Sequence, residues 1–328
     1  MCQPGQVRKE ATVTLPIRVV VQPPTPWLIR LCMKSVSHLR AIFYAASGFT
    51  VWVLCDTGAK LGADMGVSTF LMLASYGFVG MAVLALYAAP RGEIRKLWPR
   101  APRRQLGRAI IATGSTLVNI VAVKYMPLTM FYIVVFTAPM AVALMASLFL
   151  RERLTPIKVL MIVAGFVGVV IAINPAGPLQ GQWIGYAAVG CGVVLYASNA
   201  VWLRRLTQNE SMQSIAFLGA LIMAIAGTVA CCLAPPGMLP LKAVPLLLGM
   251  GVCCIFGNVL NFLALKYTTA ATVSQFHYTQ IITGSIMGYL LWHEVPTWHF
   301  LTGAVIIVAS GCFIAAQARK TGVLAPAP

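Results

Sequence analysis

Charged residues are scarce in this chain, and acidic residues are the scarcest. Only 9% of the residues are charged, with seven Asp or Glu against 24 Lys or Arg, whereas 59% are hydrophobic. A soluble domain carries about 25% charged residues, so this composition fits a chain whose solvent is lipid. The basic residues lie in short breaks between apolar runs, as membrane topology signals do. Despite the net charge of +17, we therefore expect no nucleic-acid partner.

The chain also lacks the motifs of several other protein classes. Its nine cysteines include no CxxC pair and are interpreted as free thiols, so we predict no disulfide, no metal site and no cofactor. It has no G-x4-G-K-[ST] motif, which argues against ATP as the energy source. A membrane-embedded enzyme, such as a lipid-group transferase, is the alternative of another class. Such an enzyme needs His, Asp or Glu clustered at one membrane face, and here they are scattered.

The second half of the sequence repeats the first half at a constant offset. The segment NIVAVKY at 119–125 returns as NFLALKY at 261–267, and Glu152 and Glu294 are separated by the same offset. Internal duplication of membrane segments is typical of secondary transporters.

Ten apolar runs are long enough, or nearly so, to cross a bilayer as a helix of about 20 residues. They predict an all-α integral membrane protein with ten transmembrane helices in two inverted five-helix repeats. The runs cover 40–59, 67–89, 106–124, 127–149, 156–173, 184–203, 212–233, 244–265, 269–291 and 298–316.

These spans divide the chain into five parts. The first repeat covers 40–173 and the second covers 184–316, with a periplasmic linker at 174–183 between them. Residues 1–39 are basic and rich in proline, which predicts a disordered cytoplasmic tail, and residues 317–328 are predicted to form a second cytoplasmic tail.

The basic residues also orient the spans. With both termini in the cytoplasm, only Lys60, Lys124 and Lys242 of the 24 basic residues fall outside, as the positive-inside rule requires. The stretch from Arg91 to Arg108 is the strongest anchor. Because each repeat has an odd number of spans, the second repeat enters the membrane in the opposite sense, which is the geometry that alternating access needs.

Two pairs of segments carry a resemblance to a known family. They are AVKYMPLTMFYIVVFTAP (122–139) with LRERLTP (150–156), and ALKYTTAATVSQFHYTQ (264–280) with LLWHEVP (290–296). Through them the chain resembles the EamA-type ten-helix transporters of the drug/metabolite transporter superfamily. The second copy departs from the pattern, since Thr269 and Ile281 stand where the first copy has proline. This leaves open whether spans 4 and 9 have the same kink.

The resemblance implies one helical bundle with a central cavity, lined mainly by spans 1, 3, 4, 6, 8 and 9. It implies a secondary transporter of small organic metabolites in the inner membrane, driven by protons or by a counter-substrate, as a monomer or a homodimer. Span 9 is similar to subgroups that take up flavins or S-adenosylmethionine, so a flat heteroaromatic solute is one expectation. An exporter of amino acids or drugs is the alternative.

One acid, Asp56, and one histidine, His277, lie well inside the predicted spans and are the candidates for proton coupling. Asp56 has Lys60 one helical turn away, so it forms either a local ion pair or a site for a substrate, cation or proton. His277 begins a stripe with Gln280, Gly284 and Gly288 on one helix face. It makes either an interhelical hydrogen bond, with close packing at the glycines, or a proton-sensitive contact to the cavity.

Amides and aromatic residues complete the candidate cavity. The amides are interpreted equally as structural bridges or as cavity lining, and the aromatic side chains as core packing or as a surface for a flat ligand. The predicted substrate-binding residues are Trp52, Asp56, Asn119, Tyr132, Phe136, Tyr196, Asn199, Asn258, Asn261, His277, Tyr278 and Gln280. Weaker candidates of the same polar type are Ser115 and Thr116.

Overall fold

A computed structural model describes residues 26–150, 155–174, 183–206, 210–237, 239–267, 273 and 276–320. Within these ranges the structure contains eleven α-helices, two short 3₁₀ turns and no strand. The helices are α1 Pro26–Asp64, α2 Thr69–Ala88, α3 Pro102–Tyr125, α4 Leu128–Val135, α5 Ala138–Leu150, α6 Pro156–Ile173, α7 Trp183–Leu206, α8 Met212–Leu233, α9 Ala243–Tyr267, α10 Thr279–Trp292 and α11 Trp298–Lys320. The 3₁₀ turns cover Ile94–Leu97 and Phe276–Tyr278.

The chain divides into two compact units, Met1–Ser37 and His38–Pro328. The predicted N-terminal tail, residues 1–39, lies mainly in the first unit. Residues 1–25 of this tail lie outside the described residues, and its backbone from Pro26 onward belongs to α1.

Helix ends follow the local sequence. Pro102 and Pro156 occupy the first turns of α3 and α6, where a proline has no hydrogen bond to lose. The Thr155 side chain accepts a hydrogen bond from the Lys158 amide and caps α6 at its start. At the other end of α6, Asn174 adopts a left-handed conformation with φ of 48° and stops the helix.

Eight helical stretches are long and apolar enough to cross a membrane, and one of them comprises α4 and α5 together. They correspond to the first eight predicted spans. Of the last two, the expected span at 269–291 overlaps the 14-residue α10, and the apolar part of α11 is the shorter stretch Trp298–Phe313. The chain is thus a multi-pass membrane protein, and the full count of ten spans stays a prediction.

Helix ends recur at the offset of the sequence repeat. Helices α3 and α9 end at Tyr125 and Tyr267, and helices α6 and α11 begin at Pro156 and Trp298. Both pairs of helix ends are separated by the same distance along the chain as Glu152 and Glu294. The local signals that start and stop helices are thus duplicated together with the apolar runs. The opposite orientation of the two copies remains a prediction.

Two helices are interrupted at matching positions. Between α4 and α5, Pro139 cannot donate a backbone hydrogen bond to the preceding turn, and the Thr137 hydroxyl donates to the Val134 carbonyl. A 3₁₀ turn precedes α10, although the second copy has no proline there, and the Thr279 hydroxyl donates to the Phe276 carbonyl. The two hydroxyl–carbonyl pairs stand at equivalent positions of the repeat, so both copies depart from a regular α-helix at this point.

Small residues let corresponding helices of the two halves approach each other closely. A methyl group added at Gly77 of α2 would overlap the backbone of Ala224 on α8. At Gly168 of α6, a methyl group would lie 3.1 Å from the carbonyl oxygen of Gly303 on α11. Close backbone approach at glycine is a common basis of helix packing in membranes.

Candidate functional site

A cavity of about 220 Å³ lies among helices from both halves of the chain. Its lining comes from α1 to α5, from α7 to α9 and from the segment at the start of α10. Nine of the twelve predicted binding residues line it: Trp52, Asp56, Asn119, Tyr132, Tyr196, Asn199, Asn258, His277 and Gln280. The two weaker candidates, Ser115 and Thr116, line it as well.

The other three predicted residues lie outside the cavity lining. Phe136 is fully buried and packs 5.7 Å from Tyr278, measured between ring centroids. Asn261 lies against Gly48 of α1, and its side-chain amide donates to the Gly257 carbonyl of its own helix. These three side chains pack around the cavity, and their predicted role in substrate binding stays a prediction.

Asp56 of α1 is held by a residue of an interrupted helix. The Tyr132 hydroxyl on α4 donates a hydrogen bond of 2.8 Å to its carboxylate. The ring of Tyr132 lies against Gly284 of α10, where a methyl group would overlap it. The third member of the predicted His277 stripe thus supports the residue that fixes Asp56.

The predicted local pair between Asp56 and Lys60 is wrong. The Lys60 ammonium forms its ion pair with Glu294, in the loop that follows α10. It also lies 4.6 Å from the centre of the Trp292 ring. Lys60 pairs with the Glu294 carboxylate at the helix ends. The Asp56 carboxylate faces the cavity instead and accepts a hydrogen bond from Tyr132.

Glu294 joins the ends of three segments. Besides the Lys60 ion pair, its carboxylate accepts hydrogen bonds from the Leu128 and Thr129 amides and from the Thr129 hydroxyl, at 3.0, 3.0 and 2.8 Å. Burial alone would raise the pKa of Glu294, but the hydrogen bonds from Lys60 and the α4 amides outweigh it and hold the pKa below its ordinary value. The ionised form therefore caps α4 and anchors α1. Its repeat mate, Glu152, lies outside the described residues.

His277 is buried in a hydrogen-bonded network. Its Nδ1 faces the Gln280 side-chain oxygen at 3.0 Å, and the Gln280 amide group in turn donates to the Phe49 carbonyl. Because that bond fixes the Gln280 oxygen toward His277, Nδ1 carries the proton and Nε2 accepts from the Tyr196 hydroxyl at 2.9 Å. The ring thus makes an interhelical hydrogen bond and also lines the cavity, and its proton-sensitive role stays a prediction.

The three asparagines in the cavity lining differ in their partners. Asn258 donates to the Cys254 carbonyl one turn earlier on α9. The side-chain oxygen of Asn199 is buried without a hydrogen-bond partner among the described residues. Asn119 lies against Gly192 of α7, where a methyl group would overlap its side-chain oxygen. These asparagines add hydrogen-bonding groups to the cavity lining.

One charged residue of the cavity was missed by the sequence analysis. Arg108 was assigned to the basic anchor between spans 2 and 3, but it lies inside α3 and is only 6% exposed. Its guanidinium donates to the Ile215 carbonyl of α8 at 3.1 Å. The signal was available, since Pro102 marks the first turn of α3 and places Arg108 well within the helix.

A comparison with protein families identifies the two halves directly. The model of the EamA-like transporter family matches this chain twice, at residues 39–174 and at residues 183–316. The chain belongs to the EamA-like transporter family. The two matches cover most of the chain and leave residues 175–182 between them, within the segment predicted to link the repeats.

Several EamA relatives with curated names are similar at low identity. The chain is 25% identical to the "S-adenosylmethionine uptake transporter" of Rickettsia bellii over 59% of its length, and 23% identical to the "Riboflavin transporter" of Brucella anthropi over 79%. The match spans just under two thirds, 66%, of the Rickettsia protein and 92% of the Brucella protein. A further "Riboflavin transporter", from Rhizobium johnstonii, is 27% identical over a match that covers 65% of this chain and 70% of the Rhizobium protein.

A solved structure has the same fold. It superposes on this protein with a TM-score of 0.63 and 18% sequence identity, and the match covers 88% of this chain and 99% of the chain in that structure. At that identity the likeness shows the fold alone. The EamA assignment itself therefore rests on the family match.

Proposed function

We propose that this EamA-family protein is a secondary transporter of a small organic metabolite. It carries the solute through the described cavity by alternating access, in the inner membrane and with both termini in the cytoplasm. The observation that carries this proposal is the cavity itself, which contains Asp56, Arg108 and several amides among membrane-spanning helices. Polar groups at membrane depth are costly, so their convergence on one space favours a solute site.

The arrangement of the helices supports alternating access. Both halves of the chain line the cavity, and the interruptions of α4/α5 and before α10 lie beside it, at Ala138 and at His277. Interrupted helices around a central site are a common feature of transporters built from inverted repeats. We infer that the two five-helix repeats rock around this cavity.

The solute is proposed to be flat and heteroaromatic. Trp52, Phe131, Tyr196 and Phe262 line the cavity together with the His277 ring, so planar surfaces are available for stacking. The relatives are named for S-adenosylmethionine and riboflavin, and both molecules contain a heteroaromatic ring system. This shared feature of the two names favours the same class of solute here.

Asp56 is the better candidate for proton coupling. It faces the cavity and accepts a single described hydrogen bond, from Tyr132. Both ring nitrogens of His277 are already engaged, by Tyr196 and Gln280. Protonation of Asp56 therefore requires fewer hydrogen bonds to rearrange than protonation of His277 does.

Transport in proteoliposomes tests the proposal. The purified protein is first screened for thermal stabilisation by S-adenosylmethionine, riboflavin, amino acids and drugs, and the compounds that bind are then offered for uptake. We expect uptake to be lost in Asp56→Asn and retained in Asp64→Asn, since Asp64 lies on the same helix and bonds to Trp292 away from the cavity. Normal uptake by Asp56→Asn would remove the assigned site. Chemical conversion of a bound compound without translocation would favour an enzyme.

A further inference from the structure

The cavity contains two opposite charges that are not paired with each other. Asp56 of α1 and Arg108 of α3 both line it. Across the described ranges the ion pairs are Lys60 with Glu294 and Lys96 with Glu93, and neither includes a cavity charge. The helices thus place a carboxylate and a guanidinium in one cavity without an ion pair between them.

Arg108 has unused hydrogen-bonding capacity. Arg108 is only 6% exposed, and its buried Nε atom has no hydrogen-bond partner among the described residues. One terminal nitrogen donates to the Ile215 carbonyl, and that nitrogen would lie 3.1 Å from a methyl group added at Gly219. The absence of a side chain at Gly219 therefore leaves room around the guanidinium.

Unpaired charges in a membrane protein need a reason. A buried charge without a counter-ion destabilises the fold strongly, whereas the same charge becomes favourable when a partner with good geometry arrives. A guanidinium suits a carboxylate or phosphate, because its planar donors match their oxygens. The carboxylate of Asp56 suits a cationic group in the same way.

We propose that the transported solute is dipolar, with an anionic group that binds Arg108 and a cationic group that binds Asp56. The inference rests on the proposed transport function and narrows its substrate class. S-adenosylmethionine, for which several relatives are named, has a carboxylate and two cationic groups beside a heteroaromatic ring. Riboflavin has no charge at neutral pH, so it leaves both side chains without a counter-ion.

Binding measurements with trimmed ligands test each contact separately. The probes are S-adenosylmethionine, its decarboxylated form, adenosine and riboflavin, and affinities are measured in detergent at constant pH and salt. In the unmodified protein we expect S-adenosylmethionine to bind more tightly than each of the other three. This order tests the proposal without any variant.

Two variants then connect each charge to its ligand group. Because Arg108→Gln removes a hydrogen bond between charged groups, it should lower the affinity for S-adenosylmethionine roughly 10- to 100-fold. It should leave the affinity of the decarboxylated form nearly unchanged. Asp56→Asn should weaken both cationic probes by a similar factor and leave adenosine unchanged.

Matched controls separate binding from folding. Gln105 lies one turn before Arg108 and bonds to Ser214 across the same α3–α8 contact, but it does not line the cavity. We expect Gln105→Leu to lower thermal stability without changing the order of the four affinities. Arg108→Lys keeps the charge and should recover part of the affinity for S-adenosylmethionine, which is the one probe with a carboxylate.

Distinct results overturn this inference and the transport proposal. If riboflavin or adenosine binds as tightly as S-adenosylmethionine, or if Arg108→Gln weakens all probes equally, the dipolar solute is wrong. Failure of S-adenosylmethionine to bind overturns it in the same way. Riboflavin uptake that neither variant affects would still support transport, whereas the absence of uptake for every compound that binds would overturn transport itself.

Discussion

The carboxylate of Glu294 offers the sharpest test of how the helix ends are fastened. In Glu294→Gln, one side-chain oxygen can still accept from Thr129, but the new amide group faces the Lys60 ammonium and the Leu128 amide, which are both donors. The variant thus loses two charge-assisted contacts and leaves Lys60, only 9% exposed, without a counter-ion. Such a change destabilises by about 2–4 kcal/mol, somewhat less than for a fully buried pair.

The assay is equilibrium unfolding in mixed micelles at neutral pH, followed by tryptophan fluorescence. In Glu294→Gln we expect the lower unfolding free energy just given, and we expect the additional change Lys60→Met to restore part of it, because the unpaired ammonium is removed. Glu93→Gln is the control. Its ion pair with Lys96 is exposed to solvent, so no measurable change is expected.

Acidification should remove the same stabilisation. Because the pKa of Glu294 is lower in the folded protein than in the unfolded chain, its contribution is complete at neutral pH. It begins to decline near the ordinary carboxylate value, roughly pH 4.3, and is lost below the folded value. The difference between the native protein and Glu294→Gln should shrink over this range. Equal stabilities at neutral pH, or a difference that persists in acid, would refute the assigned network.

Two further changes test the wall of the cavity. Gly284→Ala should displace the ring of Tyr132, lower the unfolding free energy of the protein by about 1–3 kcal/mol and reduce uptake. Gly249→Ala is the control, because Gly249 has open space around it and the substitution should have neither effect. Equal unfolding free energies of the two variants would contradict this packing. Tyr196→Phe leaves the His277 Nε2 without a donor and should cost about 1–3 kcal/mol in the same unfolding assay, so an unchanged stability would show that this hydrogen bond is dispensable.

The sequence was informative wherever the physical cause is local. Prolines and apolar runs set the helix ends, and the duplicated segments at 119–125 and 261–267 end corresponding helices at Tyr125 and Tyr267. Thr137 and Thr279 mark both interruptions, although Pro139 in the first copy alone suggested a kink. A hydroxyl that bonds back to its own turn is a weaker sequence signal than a proline, so the sequence leaves the interruption in the second copy open.

The sequence was less informative about charges, whose partners lie far along the chain. Asp56 and Lys60 are neighbours on one helix, yet Lys60 pairs with Glu294, 234 positions away. Arg108 was taken for a topology signal because basic residues precede it, and only the packing of α3 on α8 places it in the cavity. Local spacing limits which pairs are possible, but tertiary packing decides which of them form.

The reactivity of one native cysteine tests alternating access most directly. Cys254 of α9 lines the cavity and is half-buried. In a variant whose other cysteines are replaced by serine, a membrane-impermeant thiol reagent is applied to right-side-out and to inside-out vesicles, with Cys254→Ser as the control. The account predicts that Cys254 reacts from both sides and that a transported solute slows both reactions. Reaction from one side alone, with and without solute, would contradict it.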